Sequence, residues 1–200
     1  MGWLQNKSVY LAGPIEHDPS AANWRDVVTA QLHCMGIVVY DPIKKPEWTG
    51  FKGNYHIKEF LDEFNLELNN SLNSRYELNN LLNRQHYDRH VCLRCVRSAD
   101  IVICRLPKEP TAGTFEELTI ASQERKPVFI FGPDGVAFKW TLSLFDYMHP
   151  SEFIFNDGNG IIEYLKSIDT GKASIDPLLW IFLSYVNKYP NLILNKGYHV

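Results

Sequence analysis

The sequence predicts an α/β protein built on a doubly wound parallel sheet of about five strands, in one domain spanning 1–200. Three observations carry that expectation. Short apolar runs alternate with stretches of helical periodicity, the pattern of repeated β-α units. The runs are apolar on both faces, as strands covered by helices on either side must be. Several also end on turn residues: "SVYLAG" (8–13) runs into Pro14, "IVVYDP" (37–42) stops at Pro42, and "KPVFIFG" (126–132) ends on Gly132.

In chain order, "SVYLAG" reads as a buried first strand. Asp18-Pro19 then supplies an N-cap and a proline for the first helical position. Trp24, Val27, Val28, Leu32 and Met35 follow at helical spacing, and Gly36 closes that helix. With "IVVYDP" as second strand the opening is β-α-β, which predicts a parallel pair. Residues 43–56 read as loop, and 57–83 as helical, with Phe60, Leu61, Phe64, Leu68 and Leu72 on one face. A run of asparagines predicts a break near 69–75. A further helix is expected over 86–97 and a third strand at "ADIVICRL" (99–106). A helix over Gly113–Gln123 and the fourth strand, 126–132, come next. "SEFIFN" (151–156) is the fifth-strand candidate, with helices near 158–167 and 176–188. Residues 50–87 form a helical insertion and 170–200 a helical C-terminal extension.

Composition bounds the function. A formal charge of −3 with no basic block argues against a nucleic-acid polymer as partner. The longest apolar run, "PLLWIFLSYV" (177–186), is about half of what crosses a bilayer, so it reads as a buried or subunit-interface helix. No membrane partner and no secretory leader are expected. Four cysteines, Cys34, Cys92, Cys95 and Cys104, do not make a disulfide framework, and a cytoplasmic location is expected. "HVCLRC" (90–95) lacks a second Cys/His pair to complete a tetrahedral site, so neither a metal nor any other cofactor is expected. His86 and His90, four residues apart, give no stronger metal signal.

In open parallel sheets ligands bind beyond the C-terminal strand ends. That rule selects Gly13-Pro14, Asp41-Pro42 and the 107–117 loop. Within "PTAGTFEELTIA" (110–121), Thr114 followed three residues later by Glu117 has the capping-box pattern. Glu117 also lies on the ligand-binding edge, so local pattern leaves two roles open, helix cap and nucleophile. Asp41 has two readings as well, ligand contact and turn former before a proline. Arg25 reads either as a contact to a phosphate or base, or as a solvated side chain.

Three segments taken together resemble the nucleoside 2-deoxyribosyltransferase family and its 2′-deoxynucleoside 5′-monophosphate N-glycosidase relatives. They are "VYLAGPI" (9–15) with "NWR" (23–25), "GIVVYDP" (36–42), and "SADIVICRL" (98–106) continued by "GTFEEL" (113–118). Their order and spacing fit over most of residues 8–135. The resemblance implies a Rossmann/flavodoxin-like fold and chemistry at the N-glycosidic bond of a deoxyribonucleoside. It matches Glu117 to the family's nucleophile and Tyr10 to the tyrosine that positions it, while Glu116 should point elsewhere. The family's general-acid aspartate, eight residues before the aspartate that opens strand three, falls on Cys92. Asp88, one helical turn earlier, and Glu109 are the substitutes. Gly13, Pro14, Arg25, Asp41, Glu109, Gly113 and Thr114 are the expected substrate contacts.

The chemistry is coherent from the residues upward. A carboxylate can hold a glycosyl group covalently and split one displacement into two. The positive end of a helix favours its ionised form, and the departing base needs a proton. The implied activity is transfer of a deoxyribosyl group between nucleobases. Hydrolysis of a 5′-monophosphate and a non-catalytic nucleotide sensor are the alternatives. His17, Ser20, Asn23 and Arg25 are the phosphate candidates for the hydrolase. "GTFEEL" also resembles the "GTxxE" segment of the cytokinin-activating phosphoribohydrolases, although "PTAGT" lacks the glycine run that precedes it there. Partners are then nucleosides, nucleobases or nucleoside monophosphates. The aromatic-rich "FKWTLSLFDYM" (138–148) and the 177–186 helix point to a homo-oligomer.

Overall fold

The computed structural model describes residues 2–15, 20–44, 88–106, 111–132, 143–148, 153–176 and 178–183. The 50–87 insertion with its expected helix and break, His17, His86, Glu109 and the closing "NKGYHV" lie outside them.

Five parallel strands form one sheet: β1 (Ser8–Ala12), β2 (Val38–Tyr40), β3 (Ile101–Arg105), β4 (Val128–Phe131) and β5 (Ile154–Phe155), in the order β2-β1-β3-β4-β5. The helices are α1 (Ala21–Cys34), α2 (helical over 88–98), α3 (Ala112–Gln123) and α4 (Gly158–Asp169). This is the α/β doubly wound arrangement the apolar runs predict. The chain order reverses direction between β1 and β3, so the crevice for a ligand opens there.

The two faces of the sheet follow strand alternation. α1 packs beside α4. On their side, Phe129 meets Tyr164 at 5.7 Å between ring centroids and Phe131 meets Trp24 at 5.4 Å. Tyr10, Ala12, Val102 and Cys104 lie on the opposite parity, since Tyr10 pairs with Val102 and Ala12 with Cys104. That face carries α3, whose Glu117 meets the Tyr10 hydroxyl. β1 to β3 register is pinned at the lower edge. Asp100 accepts from the Ser8 amide at 2.8 Å and hydroxyl at 2.9 Å, while its own amide donates to the Ser8 carbonyl at 3.0 Å.

Helix ends follow local chemistry. Gly36 closes α1 at φ 72° in a Schellman turn, with its amide on His33 at 2.9 Å and the Ile37 amide on Leu32 at 3.1 Å. The start of α1 differs from expectation: the N-cap is Ser20 and the helix opens at Ala21, two residues beyond Pro19. Arg105, at the end of β3, explains the choice by donating to the Ser20 hydroxyl at 2.7 Å and holding that residue at the sheet edge. Asp157 caps α4 by accepting from the Gly160 amide at 2.8 Å.

Of the apolar 177–186 run, the described residues 178–183 fold back as a turn with a short helical stretch. Leu179, Trp180 and Leu183 are buried, with Trp180 5.9 Å from Phe129. Leu178 and Ile181 face out. Among the described residues no helix is long and apolar enough to cross a membrane.

Candidate active site

Two buried groups meet at the switch point. The Tyr10 hydroxyl, on β1, donates to Glu117 Oε1, on α3, at 2.6 Å. Tyr10 is fully buried, and Glu117 keeps 9 % of its surface exposed. Burial first, and then the negative Glu117 carboxylate, push the Tyr10 phenol well above its ordinary value. Tyr10 is therefore a neutral donor that orients one carboxylate oxygen and leaves the charge on Glu117.

The capping-box reading of Glu117 does not hold. α3 begins at Ala112 with Thr111 as N-cap, so Thr114 is the third helical residue and Glu117 the sixth. A capping box anchored on Thr114 would need the helix to begin three residues later. Thr111 instead pairs hydroxyl to hydroxyl with Thr114 at 2.8 Å. The same shift weakens the expectation that the helix N-terminus favours Glu117 in its charged form, because that effect fades within the first turn. Gly113 sits in that first turn, exposed, with open space where a side chain would be.

Glu116 points away from the site. Arg89, on α2, grips it through both carboxylate oxygens, with Nε at 2.7 Å from Oε2 and Nη2 on Oε1. That pair draws Glu116 below the usual carboxylate range and links the helices that flank the site.

Two thiols stand near the pair, Cys104 by Glu117 and Cys92 by Tyr10. Cys104, on β3, is fully buried, and burial followed by the Glu117 charge drives its thiol well above the usual range. It pairs in register with Ala12, on the sheet face that carries Tyr10. Cys92, on α2, lies within hydrogen-bonding reach of Tyr10. A thiol therefore occupies the position where the family resemblance expects a carboxylic acid. Asp88 is half-buried one turn earlier on the same helix face.

A second cluster borders the first on the β2 side. Arg25 is fully buried, contrary to the solvated alternative. Its Nη2 donates to the Gly13 carbonyl at 2.9 Å, and Nη1 donates to Ala21 at 2.8 Å and Pro14 at 3.3 Å. Its Nε faces Asp41 Oδ1 at 3.6 Å, and its guanidinium stacks on Trp24 at 4.6 Å. Burial pulls the guanidinium below its ordinary value, against the opposing effect of Asp41. Burial likewise raises Asp41, against its bond from the Ile43 amide and the Arg25 charge. Asp41 also accepts from that amide at 2.9 Å, which is the turn-forming role an Asp before Pro commonly takes. Gly13 has φ +144°, and a Cβ there would stand 2.8 Å from the Arg105 carbonyl. Only glycine fits that turn.

Among the described residues no group of His, Cys, Asp and Glu has the arrangement of a metal site. No protein-family model and no curated protein sequence matches the chain. Among solved structures it is similar to a 2-deoxyribosyltransferase from the psychrotolerant bacterium Bacillus psychrosaccharolyticus. Identity is 20%, over 78% of this chain and 91% of that one, with a TM-score of 0.47.

Proposed function

We propose that this protein transfers a 2-deoxyribosyl group between nucleobases through a covalent intermediate on Glu117. The observation that carries the reading is the 2.6 Å bond from Tyr10 to Glu117, a neutral donor on a buried carboxylate at the β1/β3 switch point. The order of the "VYLAGPI", "GIVVYDP" and "SADIVICRL…GTFEEL" segments supports it.

In the first half-reaction a Glu117 oxygen attacks C1′ and forms an ester-like bond. The C1′–N bond breaks, and its electron pair leaves with the base, which takes a proton. We assign that proton to Asp88, which shares a face of α2 with Cys92. In the second half-reaction a nitrogen of the incoming base attacks C1′ and displaces the Glu117 carboxylate, and the proton that nitrogen loses returns to Asp88. Water in place of that base gives hydrolysis. The Gly13-Pro14 turn, Asp41, Gly113 and Thr114 form the rim around the sugar in this reading. Glu109, the other candidate acid, lies outside the described residues.

A second reading, a nucleotide-binding module without turnover, is favoured by Cys92 standing beside Tyr10 where an acid is expected. One experiment separates the readings. The protein is incubated with 2′-deoxyinosine or thymidine, and with their 5′-monophosphates, with and without adenine, and products are resolved by chromatography. A new adenine deoxynucleoside that disappears in Glu117→Ala and declines in Asp88→Asn supports transfer. Free base from monophosphates alone supports hydrolysis. Ligand binding without any product supports the module.

A further inference from the structure

We propose that Arg25 is the positioning residue of the site, a buried bracket that fixes the Gly13-Pro14 turn against the start of α1 and the end of β2. The proposal rests on the deoxyribosyl-transfer reading for its functional consequence, and on geometry alone for the bracket itself.

A fully buried guanidinium is costly to keep, so the number of groups it joins is informative. Arg25 binds the carbonyls of Gly13 and Pro14, which directly follow β1, and of Ala21, which opens α1. It faces Asp41, just past the end of β2. Three segments at the C-terminal edge of the sheet are thereby joined through one side chain. The turn it holds begins three residues after Tyr10, and it has no slack on its far side. A Cβ on Gly13 would meet the Arg105 carbonyl at 2.8 Å and the Trp24 ring at 3.4 Å. Trp24 in turn stacks on the Arg25 guanidinium.

Arg25 and Glu117 are both buried, the first bonded to the carbonyls of this turn and the second to Tyr10, three residues before it. Three of the guanidinium's N–H donors are committed to backbone carbonyls, its Nε faces Asp41 at 3.6 Å without a hydrogen bond, and burial of the whole side chain keeps it from solvent. Its part in catalysis is to set where the turn stands relative to Glu117. Lysine cannot replace it, because a point charge on a flexible stem does not span several carbonyls in one plane.

The test compares Arg25→Lys with the unaltered protein. Steady-state kinetics are measured on a 2′-deoxynucleoside and on its 5′-monophosphate, and hydrogen exchange is followed by mass spectrometry across residues 10–15 and β4. The expected result is a KM raised about tenfold or more for both substrates alike, the size of losing one hydrogen bond to a charged group. The expected kcat falls much less, and exchange quickens across 10–15 but not in β4. A KM rise confined to the monophosphate overturns the proposal in favour of direct phosphate contact. Unchanged KM and unchanged exchange in a folded variant overturn it outright. Should the unaltered protein turn over none of these substrates, the transfer reading fails and the exchange comparison alone decides the bracket. If Arg25→Lys does not fold, hydrogen exchange in Asp41→Asn, which removes the counter-ion, decides the bracket: quickened exchange across 10–15 but not in β4 supports it, and unchanged exchange overturns it.

Discussion

Replacing Tyr10 by Phe isolates the contribution of one hydroxyl. The ring position is fully buried in the core, so Phe keeps the packing and removes the hydroxyl that donates to Glu117 and stands beside the Cys92 thiol. The lost bond is short and runs to a carboxylate, a class worth about 1.5–3 kcal/mol net. If that energy is expressed in orienting Glu117 for attack, kcat/KM falls by roughly 10- to 150-fold, at about 1.4 kcal/mol per factor of ten. The acceptor left without its donor destabilises the fold by about 1–3 kcal/mol, so the thermal midpoint drops by several degrees. The assay is base exchange from 2′-deoxyinosine to adenine at a temperature well below both midpoints, with Glu117→Ala as the inactive reference. Full kcat/KM in Tyr10→Phe, alongside loss in Glu117→Ala, would refute the claim that the phenol orients the nucleophile.

Glu116→Gln retains base exchange within a few-fold, because its carboxylate is engaged with a half-exposed Arg89 and points away from the site; initial rates check this against its neighbour Glu117→Gln, which should be inactive. Gly13→Ala costs about 1–3 kcal/mol of stability, since its backbone sits at φ +144° and the new Cβ strikes the Arg105 carbonyl; urea denaturation measures it, and an unchanged midpoint would contradict the turn geometry. The raised Tyr10 value gives a pH dependence whose sign is fixed. An unfolded tyrosine loses its proton near pH 10 while the folded Tyr10 keeps it. The unfolded state then binds fewer protons, and stability falls as pH climbs above about 10 toward the folded value. Urea midpoints measured on either side of pH 10 should show that slope in the unaltered protein and a shallower one in Tyr10→Phe.

Much of this fold was legible because its signals are local. The runs "VYLA" (9–12) and "IVIC" (101–104) are buried at every position on both faces, as a doubly covered parallel strand requires. Gly36 marked the end of α1 because its φ of 72° suits glycine. The placement of Glu117 followed from strand order, since a carboxylate early in the helix after β3 reaches the switch point whatever its neighbours are. What local pattern could not supply was the exact start of each helix. Thr114-x-x-Glu117 satisfies the capping-box spacing, yet Thr111 begins the helix and frees Glu117 for Tyr10. Arg25 was misjudged for a related reason. Its partners are backbone carbonyls, which carry no sequence signature, so a buried bracket and a solvated cation look alike before the chain is folded. The approach of Cys92 to Tyr10 depends on how α2 packs over β1, a tertiary relation that spacing alone leaves open.

The central claim is that Glu117 becomes covalently bonded to C1′. The most direct measurement is mass spectrometry of the protein mixed with a 2-fluoro-2-deoxy nucleoside, whose fluorine slows the second displacement more than the first when the base is a good leaving group. Peptide mapping then locates any adduct. The account predicts a mass increase of one fluorodeoxyribosyl unit on the peptide containing Glu117, lost on adding adenine and absent in Glu117→Gln. Turnover of the natural deoxynucleoside with the sugar carried on another residue, or undiminished turnover by Glu117→Gln, would contradict it.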